Sequence, residues 1–160
     1  MKQTILIVDD EPANIRIIQS ALDGEYTLLA ATSGETAIEV ARQSMPDMIL
    51  MDVLMPGLDG IETAKRILDL AGAEPEPAII FVTSLDDAEK ELSALTSGGT
   101  DYLTKPVHPR VLQTRVRLHM TNRVYVQYLR AVIDQRTKSL EEAREEARSV
   151  LTRTLGAGRS

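Results

Sequence analysis

The sequence predicts an α/β fold in which five parallel strands form one doubly wound sheet, covered by helices on both faces. Short apolar runs alternate with helix-compatible segments from the N-terminus to about Lys105. The runs are apolar at consecutive positions, as expected for strands that are buried on both faces. The segments between them are long enough for right-handed helical crossovers, which neighbouring parallel strands require.

Each predicted strand is paired with a predicted helix that follows it. The strands are expected at Ile5–Val8, Tyr26–Ala31, Met48–Met51, Ala78–Val82 and Tyr102–Leu103. The helices are expected at Pro12–Leu22, from Ser33 to just before Pro46, at Gly60–Leu70, at Asp86–Thr96, and from Pro109 to about Leu151. Proline suits the first turn of a helix, and Gly or Pro commonly follows the last turn.

Composition limits the classes of protein to which the chain could belong. With 160 residues, of which 43% are hydrophobic, the chain is long enough for one core and an appendage. It has no cysteine, so disulfide and thiolate chemistry are excluded and a reducing compartment is favoured. No apolar run approaches the roughly 20 residues that span a bilayer, and the N-terminus does not resemble a signal peptide. We therefore expect a cytoplasmic protein with no membrane partner.

Charge is distributed unevenly along the chain. Up to Pro106 there are 7 Lys or Arg and 19 Asp or Glu, whereas from Val107 onward there are 11 basic and 5 acidic residues. A basic tail can indicate nucleic-acid binding. Here the basic residues are interleaved with helix formers and lack aromatic stacking partners, so we interpret them as a solvated helix face without direct nucleic-acid binding.

Polar residues that suit phosphoryl transfer stand at four predicted strand ends. The first, third, fourth and fifth strands are followed by Asp9-Asp10-Glu11, Asp52, Thr83-Ser84 and Lys105-Pro106. The carboxyl ends of parallel strands meet at one edge, where clustered carboxylates favour a hard cation such as Mg²⁺. Each group alone has another explanation, such as a helix cap or a surface lysine. Their joint occurrence predicts phosphoryl transfer, which depends on positioning and on charge neutralisation.

These segments resemble a known family, the CheY-like receiver domains of bacterial two-component response regulators, over roughly residues 3–121. The resemblance implies a flavodoxin-like fold. The residues that carry it are Ile5–Glu11, Pro46–Asp52, Met55–Gly60, Val82–Ser84 and Asp101–Pro106.

The resemblance implies a role for each acidic residue. Asp52 corresponds to the phosphoacceptor, on which an aspartyl-phosphate forms. Asp10, Asp52 and the backbone carbonyl of Leu54 correspond to direct Mg²⁺ ligands, and Asp9 would act through a water molecule. The acidic set is complete in this sequence.

The resemblance also implies a phosphate-binding switch. Thr83 corresponds to the hydroxyl that moves towards the phosphoryl oxygens, and Tyr102 to the aromatic side chain that turns inward behind it. Ser84 is small, as access to the acceptor requires. Lys105 would pair with the phosphate, ahead of a cis peptide bond at Pro106.

The expected function is that of a signalling domain rather than an enzyme. A sensor histidine kinase or phosphotransfer protein would donate the phosphoryl group to Asp52. One alternative is a pseudo-receiver that acts only as a dimerisation module. A haloacid-dehalogenase-like phosphatase is disfavoured because Asp9–Ala13 does not match its nucleophile pattern, and a dinucleotide-binding fold because no Gly-rich loop follows the first strand.

An apolar heptad pattern predicts a coiled coil after the receiver. One seam position is occupied by Val126, Ile133, Leu140 and Ala147, and its companion by Leu129, Arg136, Ala143 and Val150. A pattern of close to four heptads favours a parallel two-stranded coiled coil. The alternative interpretation is a single amphipathic helix. The predicted organisation is a receiver at 1–122, a helical connector at 123–154 and a flexible tail at 155–160.

The connector itself resembles those that join receivers to output domains. The segment Gln135–Glu142 is similar to connectors ahead of kinases and HD-GYP-type cyclic-dinucleotide phosphodiesterases. We therefore expect the 160 residues to be a piece of a longer protein, with the output domain outside them.

Overall fold

The computed structural model describes residues 2–71, 76–84, 96 and 98–157. Within these residues the chain forms five strands and four helices. The strands are β1 (Thr4–Val8), β2 (Thr27–Ala31), β3 (Met48–Asp52), β4 (Ala78–Ser84) and β5 (Asp101–Lys105). The helices are α1 (Pro12–Leu22), α2 (Gly34–Ser44), α3 (Gly60–Ala71) and α4 (Pro109–Ala157). Of the helix predicted at 86–96, only Thr96 lies within the described residues.

The five strands form one parallel sheet in the order β2-β1-β3-β4-β5. The predicted α/β fold with a five-stranded parallel sheet and a long C-terminal helix is thereby confirmed. Each strand matches its predicted position to within one or two residues at either end. The order places β1 and β3 side by side, so that the ends of these two strands are neighbours.

Alternate residues of each strand pack into two separate cores, one on each face of the sheet. In β1, Leu6 and Val8 belong to the core beneath α2 and α3, whereas Ile5 and Ile7 belong to the core beneath α1 and α4. All four side chains are buried. Burial on both faces explains why the strands are apolar at consecutive positions rather than at alternate ones.

One apolar side chain of α1 is not part of the core. Ile15, Ile18 and Leu22 are buried, whereas Ile17 is 51% exposed. Ile17 instead lines a cleft at the carboxyl edge of the sheet. The helical period places position 17 one hundred degrees from position 18, on the side that the sheet does not cover.

The chain divides into two compact units, Met1–Thr121 and Asn122–Ser160. The first contains the sheet and the two cores. The described part of the second is helical throughout and continues through Ala157, past Leu155, where the composition predicts the tail to begin. Its apolar side chains are mostly exposed. No helix among the described residues has the length and apolar character that crossing a bilayer requires.

Candidate functional site

The carboxyl ends of β1, β3 and β5 bring the acidic residues and the lysine together. Asp9 directly follows β1, Asp52 is the last residue of β3, and Lys105 is the last residue of β5. Parallel pairing sets Asp52 opposite Val82 and Ser84 opposite Lys105. These ends border a cleft of about 630 Å³.

Three carboxylates form a compact group in this cleft. Asp9, Asp10 and Asp52 can each place a carboxylate oxygen within 4.8 Å of the others. Asp9 is 1% exposed and Asp52 is 4% exposed, whereas Asp10 is partly exposed. Closely spaced anions repel one another more strongly in a buried setting than in water. An all-oxygen donor set with a solvent-accessible member suits a hard divalent cation such as Mg²⁺.

Lys105 forms ion pairs with both buried carboxylates. Its Nζ lies 2.6 Å from Oδ2 of Asp52 and 2.9 Å from Oδ2 of Asp9. Burial lowers the pKa of Lys105, but the hydrogen bonds to Asp52 and then Asp9 outweigh it, so the pKa is raised above its usual value. Lys105 therefore carries a positive charge in the site. The peptide bond between Lys105 and Pro106 is cis.

The carboxyl group of Asp52 has a pKa above its usual value. Burial raises the pKa more than the hydrogen bond from Lys105 lowers it, and the negative charge of Asp9 adds to the rise. The pKa values of Asp52 and Lys105 can both be raised, because the one ammonium group is shared between two carboxylates. Oδ1 of Asp52 also accepts a hydrogen bond of 3.1 Å from the backbone N–H of Leu54.

The loop after β3 is held close to the backbone of Asp52. The N–H of Gly60, at the start of α3, donates to the carbonyl oxygen of Val53 at 3.0 Å. A β-carbon on Gly60 would lie 1.9 Å from the carbonyl oxygen of Asp52, so no larger residue fits without movement of this backbone. Glycine therefore allows α3 to begin directly against the strand that carries Asp52.

The remaining predicted site residues differ in how far they are exposed. Ser84 is exposed and lines it together with Leu54. Thr83 is buried, and its hydroxyl donates a long hydrogen bond of 3.4 Å to the carbonyl oxygen of Ser84. Tyr102 is half-buried against the core beneath α2 and α3, and pairs with Phe81 in the sheet.

Two groups of residues were not singled out in the sequence. Asn14, in the first turn of α1, donates from Nδ2 to Oδ1 of Asp9 at 3.1 Å. Asp101 accepts hydrogen bonds from Arg115 and is bonded to His119, both of α4. The short separation of Asn14 from Asp9, five residues along the chain, could have pointed to this bond, because α1 begins soon after Asp9. The pairing of Asp101 depends on tertiary structure.

The sequence model of the family described as response regulator receiver domain matches residues 5–117. Response regulator PleD of Caulobacter vibrioides is 38% identical over 118 residues, which are 73% of this chain and 26% of PleD. The alkaline phosphatase synthesis transcriptional regulatory protein PhoP of Bacillus subtilis is 36% identical over 118 residues, 73% of this chain and 48% of PhoP. The chain thus spans about a quarter to a half of the length of these relatives.

Solved structures agree with the sequence comparison. The chemotaxis protein CheY4 of Vibrio cholerae superimposes with a TM-score of 0.68 and 26% identity, covering 73% of this chain and 98% of CheY4. The response regulator domain of Thermotoga maritima CheB superimposes with a TM-score of 0.66 and 27% identity, covering 76% of this chain and 98% of that domain. The family match alone covers more than half of the residues. Over residues 5–117, the chain belongs to the family of response regulator receiver domains.

Proposed function

We propose that Asp52 accepts a phosphoryl group from a sensor histidine kinase or phosphotransfer protein in the cytoplasm, in a reaction that requires Mg²⁺. The observation that supports this most directly is the buried carboxylate of Asp52, paired with Lys105 at 2.6 Å and grouped with Asp9 and Asp10. A buried acid with one lysine and two further acids around it is costly to maintain, and such groups are concentrated at functional sites.

The transfer is a displacement at phosphorus. A carboxylate oxygen of Asp52 forms the new O–P bond while the N–P bond of the donor phosphohistidine breaks, and the bonding electrons return to the imidazole nitrogen. Lys105 then exchanges its pairing with the Asp52 carboxylate for the phosphoryl oxygens, which keeps its charge compensated. Asp10, Asp52 and the carbonyl of Leu54 would hold Mg²⁺ directly and Asp9 through water. The cation supplies neutralisation of the charge on the transferring oxygens.

Thr83 and Tyr102 would convert phosphorylation into a structural change. A ligand shifts an equilibrium only when one state binds it better than the other. The hydroxyl of Thr83 has only a 3.4 Å contact with a carbonyl oxygen, so a phosphoryl oxygen would offer it a better acceptor. Tyr102 would then fill the space behind Thr83. The small side chain of Ser84 would leave the acceptor accessible.

The second unit would join two copies of the chain through its heptad seam. Val126, Leu129, Ile133, Leu140 and Val150 are each between 47% and 70% exposed. Their seven-residue spacing suits the seam of a parallel two-stranded coiled coil. A homodimer would let the change at the receiver reach an output domain in both copies together.

Mass spectrometry of the intact protein tests the proposal. Acetyl phosphate with Mg²⁺ should add one phosphoryl group to the wild type and none to Asp52→Asn. Asp59→Asn is the matched control, because Asp59 is an exposed acid in the loop after β3 and lies outside the carboxylate group. Full labelling of Asp52→Asn would refute the assignment. An unlabelled wild type would favour a pseudo-receiver instead.

A further inference from the structure

The carboxylate of Asp9 is held by three protein donors. Oδ1 accepts the backbone N–H of Glu11 at 2.9 Å and Nδ2 of Asn14 at 3.1 Å. Oδ2 is paired with Nζ of Lys105 at 2.9 Å. Asp9 is 1% exposed, so these donors replace water almost completely. The two oxygens of Asp9 thus have different partners.

We propose that Asn14 is a positioning residue for the site, which fixes the Asp9 carboxylate so that Oδ2 faces Lys105 and the shared metal position. This inference rests on the proposed function of Asp52. The terminal torsion of an aspartate side chain has a broad, roughly two-fold energy profile. The orientation of the carboxylate is therefore determined by its hydrogen bonds. The N–H of Glu11 comes from the loop that follows Asp9, whereas Asn14 comes from α1 and ties the carboxylate to a rigid element.

The chemistry of the amide settles its orientation. A charged carboxylate only accepts hydrogen bonds, so the NH₂ group of Asn14, and not its carbonyl oxygen, must face Asp9. The amide is also neutral. It therefore orders Asp9 and leaves its negative charge available to attract a divalent cation. A lysine or arginine at position 14 would cancel that charge.

Residues that orient metal ligands affect affinity even though they do not touch the metal. Loss of such a partner typically weakens metal binding by about 10–100-fold. Asp9 would contact Mg²⁺ only through water, so we expect an effect near the lower end of this range. Removing the amide of Asn14 should raise the dissociation constant for Mg²⁺ about tenfold.

The experiment compares Asn14→Leu and Asn14→Ala, which delete the donor, with Asn14→Gln, which retains an amide. Ser20→Ala is the control, because Ser20 lies on the exposed side of α1. The dissociation constant for MgCl₂ is measured by NMR titration of the full chain without any phosphoryl donor. Labelling by acetyl phosphate is then followed as Mg²⁺ is increased. We expect weaker Mg²⁺ binding in both deletion variants, partial retention in Asn14→Gln, and recovery of most of the labelling rate at saturating Mg²⁺.

The controls separate the failure of this inference from the failure of the proposed function. A wild type that neither binds Mg²⁺ nor becomes labelled would refute the proposed function itself. A functional wild type with unchanged or tighter Mg²⁺ binding in the two deletion variants would overturn the role of Asn14. A lower thermal midpoint with an unchanged Mg²⁺ dissociation constant would overturn it too, because Asn14 would then serve only the stability of α1.

Discussion

At the scale of single residues, Lys105 is the positive charge that two buried carboxylates share. Its Nζ lies within 2.9 Å of an oxygen of each, while Asp10 adds a third negative charge to the group. One ammonium group cannot compensate three carboxylates. The pKa of Asp52 is raised mainly by burial, and the negative charge of Asp9 contributes to the rise. We expect this imbalance to make the metal-free site less stable than it would be with one acid fewer.

Removing Asp10 should therefore separate stability from function. Asp10→Ala should raise the unfolding free energy of the metal-free protein by up to about 1 kcal/mol, because like-charge repulsion falls. It should also abolish labelling by acetyl phosphate and the thermal stabilisation that Mg²⁺ gives the wild type. Glu11→Ala is the control, since this neighbouring acid lies outside the carboxylate group. Labelling of Asp10→Ala at the wild-type rate would show that the ligand set is wrong.

The side chain at position 54 should set the lifetime of the phosphoryl group. The resemblance to receiver domains implies that the residue two past the acceptor tunes hydrolysis. Here this residue is Leu54, which lines the cleft and is 49% exposed. An apolar side chain can neither orient a water molecule nor donate to the phosphate, so we expect a long-lived aspartyl-phosphate. Leu85, two past Thr83, has the same apolar character but lies outside the described residues.

The decay of labelled protein, measured by intact mass over time, tests this expectation. Leu54→Asn should shorten the lifetime severalfold because its amide can hold the attacking water. Leu54→Met, which stays apolar, should decay like the wild type. A wild-type half-life of seconds would contradict the prediction.

At the scale of secondary structure, the apolar pattern of the sequence predicts the buried strands. It does not predict the side-chain contacts that depend on tertiary structure. Continuous apolar runs identify β1, β3 and β4, because these strands are buried on both faces. The strand ends identify the carboxylates and Lys105. The exposure of Ile17 and the bond from Asn14 to Asp9 depend on how α1 is set against the sheet. The partners of Asp101 depend on α4 returning to β5, which local sequence does not encode.

Asp101, the first residue of β5, connects this strand to α4 through its side chain. Its Oδ2 lies 2.9 Å from Arg115 and 2.8 Å from Nε2 of His119, while Oδ1 accepts the N–H of Tyr102 at 2.8 Å. Burial raises the pKa of Asp101. The hydrogen bonds with His119 and the other donors lower this pKa by more than burial raises it, so the pKa is below its usual value. Arg115 is thus paired within the chain.

Asp101→Asn should destabilise the protein in a pH-dependent way. A depressed folded pKa stabilises the protein above the unfolded pKa, and this stabilisation is lost as pH falls through the folded value. At neutral pH the substitution should lower the unfolding free energy by about 1–3 kcal/mol. Below the pKa of Asp101 the difference from the wild type should vanish. Asp69→Asn, at an exposed position of α3, should have no such profile, and an Asp101→Asn loss that is constant with pH would contradict the assignment.

At the scale of the whole molecule, an acidic receiver is followed by a basic C-terminal segment. The second unit exposes a seam of apolar residues that a solvated helix would not need. Association of two copies would bury that seam and leave the charged positions in water. We interpret the interleaved acids and bases after Ser139 as pairs that support the helix rather than as a nucleic-acid surface.

Sedimentation tests the dimer. The full chain should be dimeric at high concentration, and a chain that ends at Asn122 should be less associated, with and without beryllofluoride as phosphoryl analogue. Ile133→Glu in the full chain should weaken dimers because it places a charge in the seam. Gln135→Glu, outside the seam, should leave them intact. If the full chain is monomeric under every condition, the dimer proposal is wrong and the second unit is only a helical extension.

The central claim, that Asp52 alone accepts the phosphoryl group, is tested most directly by locating the group on the wild-type chain. Borohydride reduces an aspartyl-phosphate to homoserine, and peptide mass spectrometry of the labelled protein then identifies the position that has changed. We predict homoserine at position 52, dependent on Mg²⁺ and on acetyl phosphate. Homoserine at position 9, 10 or 59, or unmodified Asp52 in protein that carries a phosphoryl group, would contradict the account.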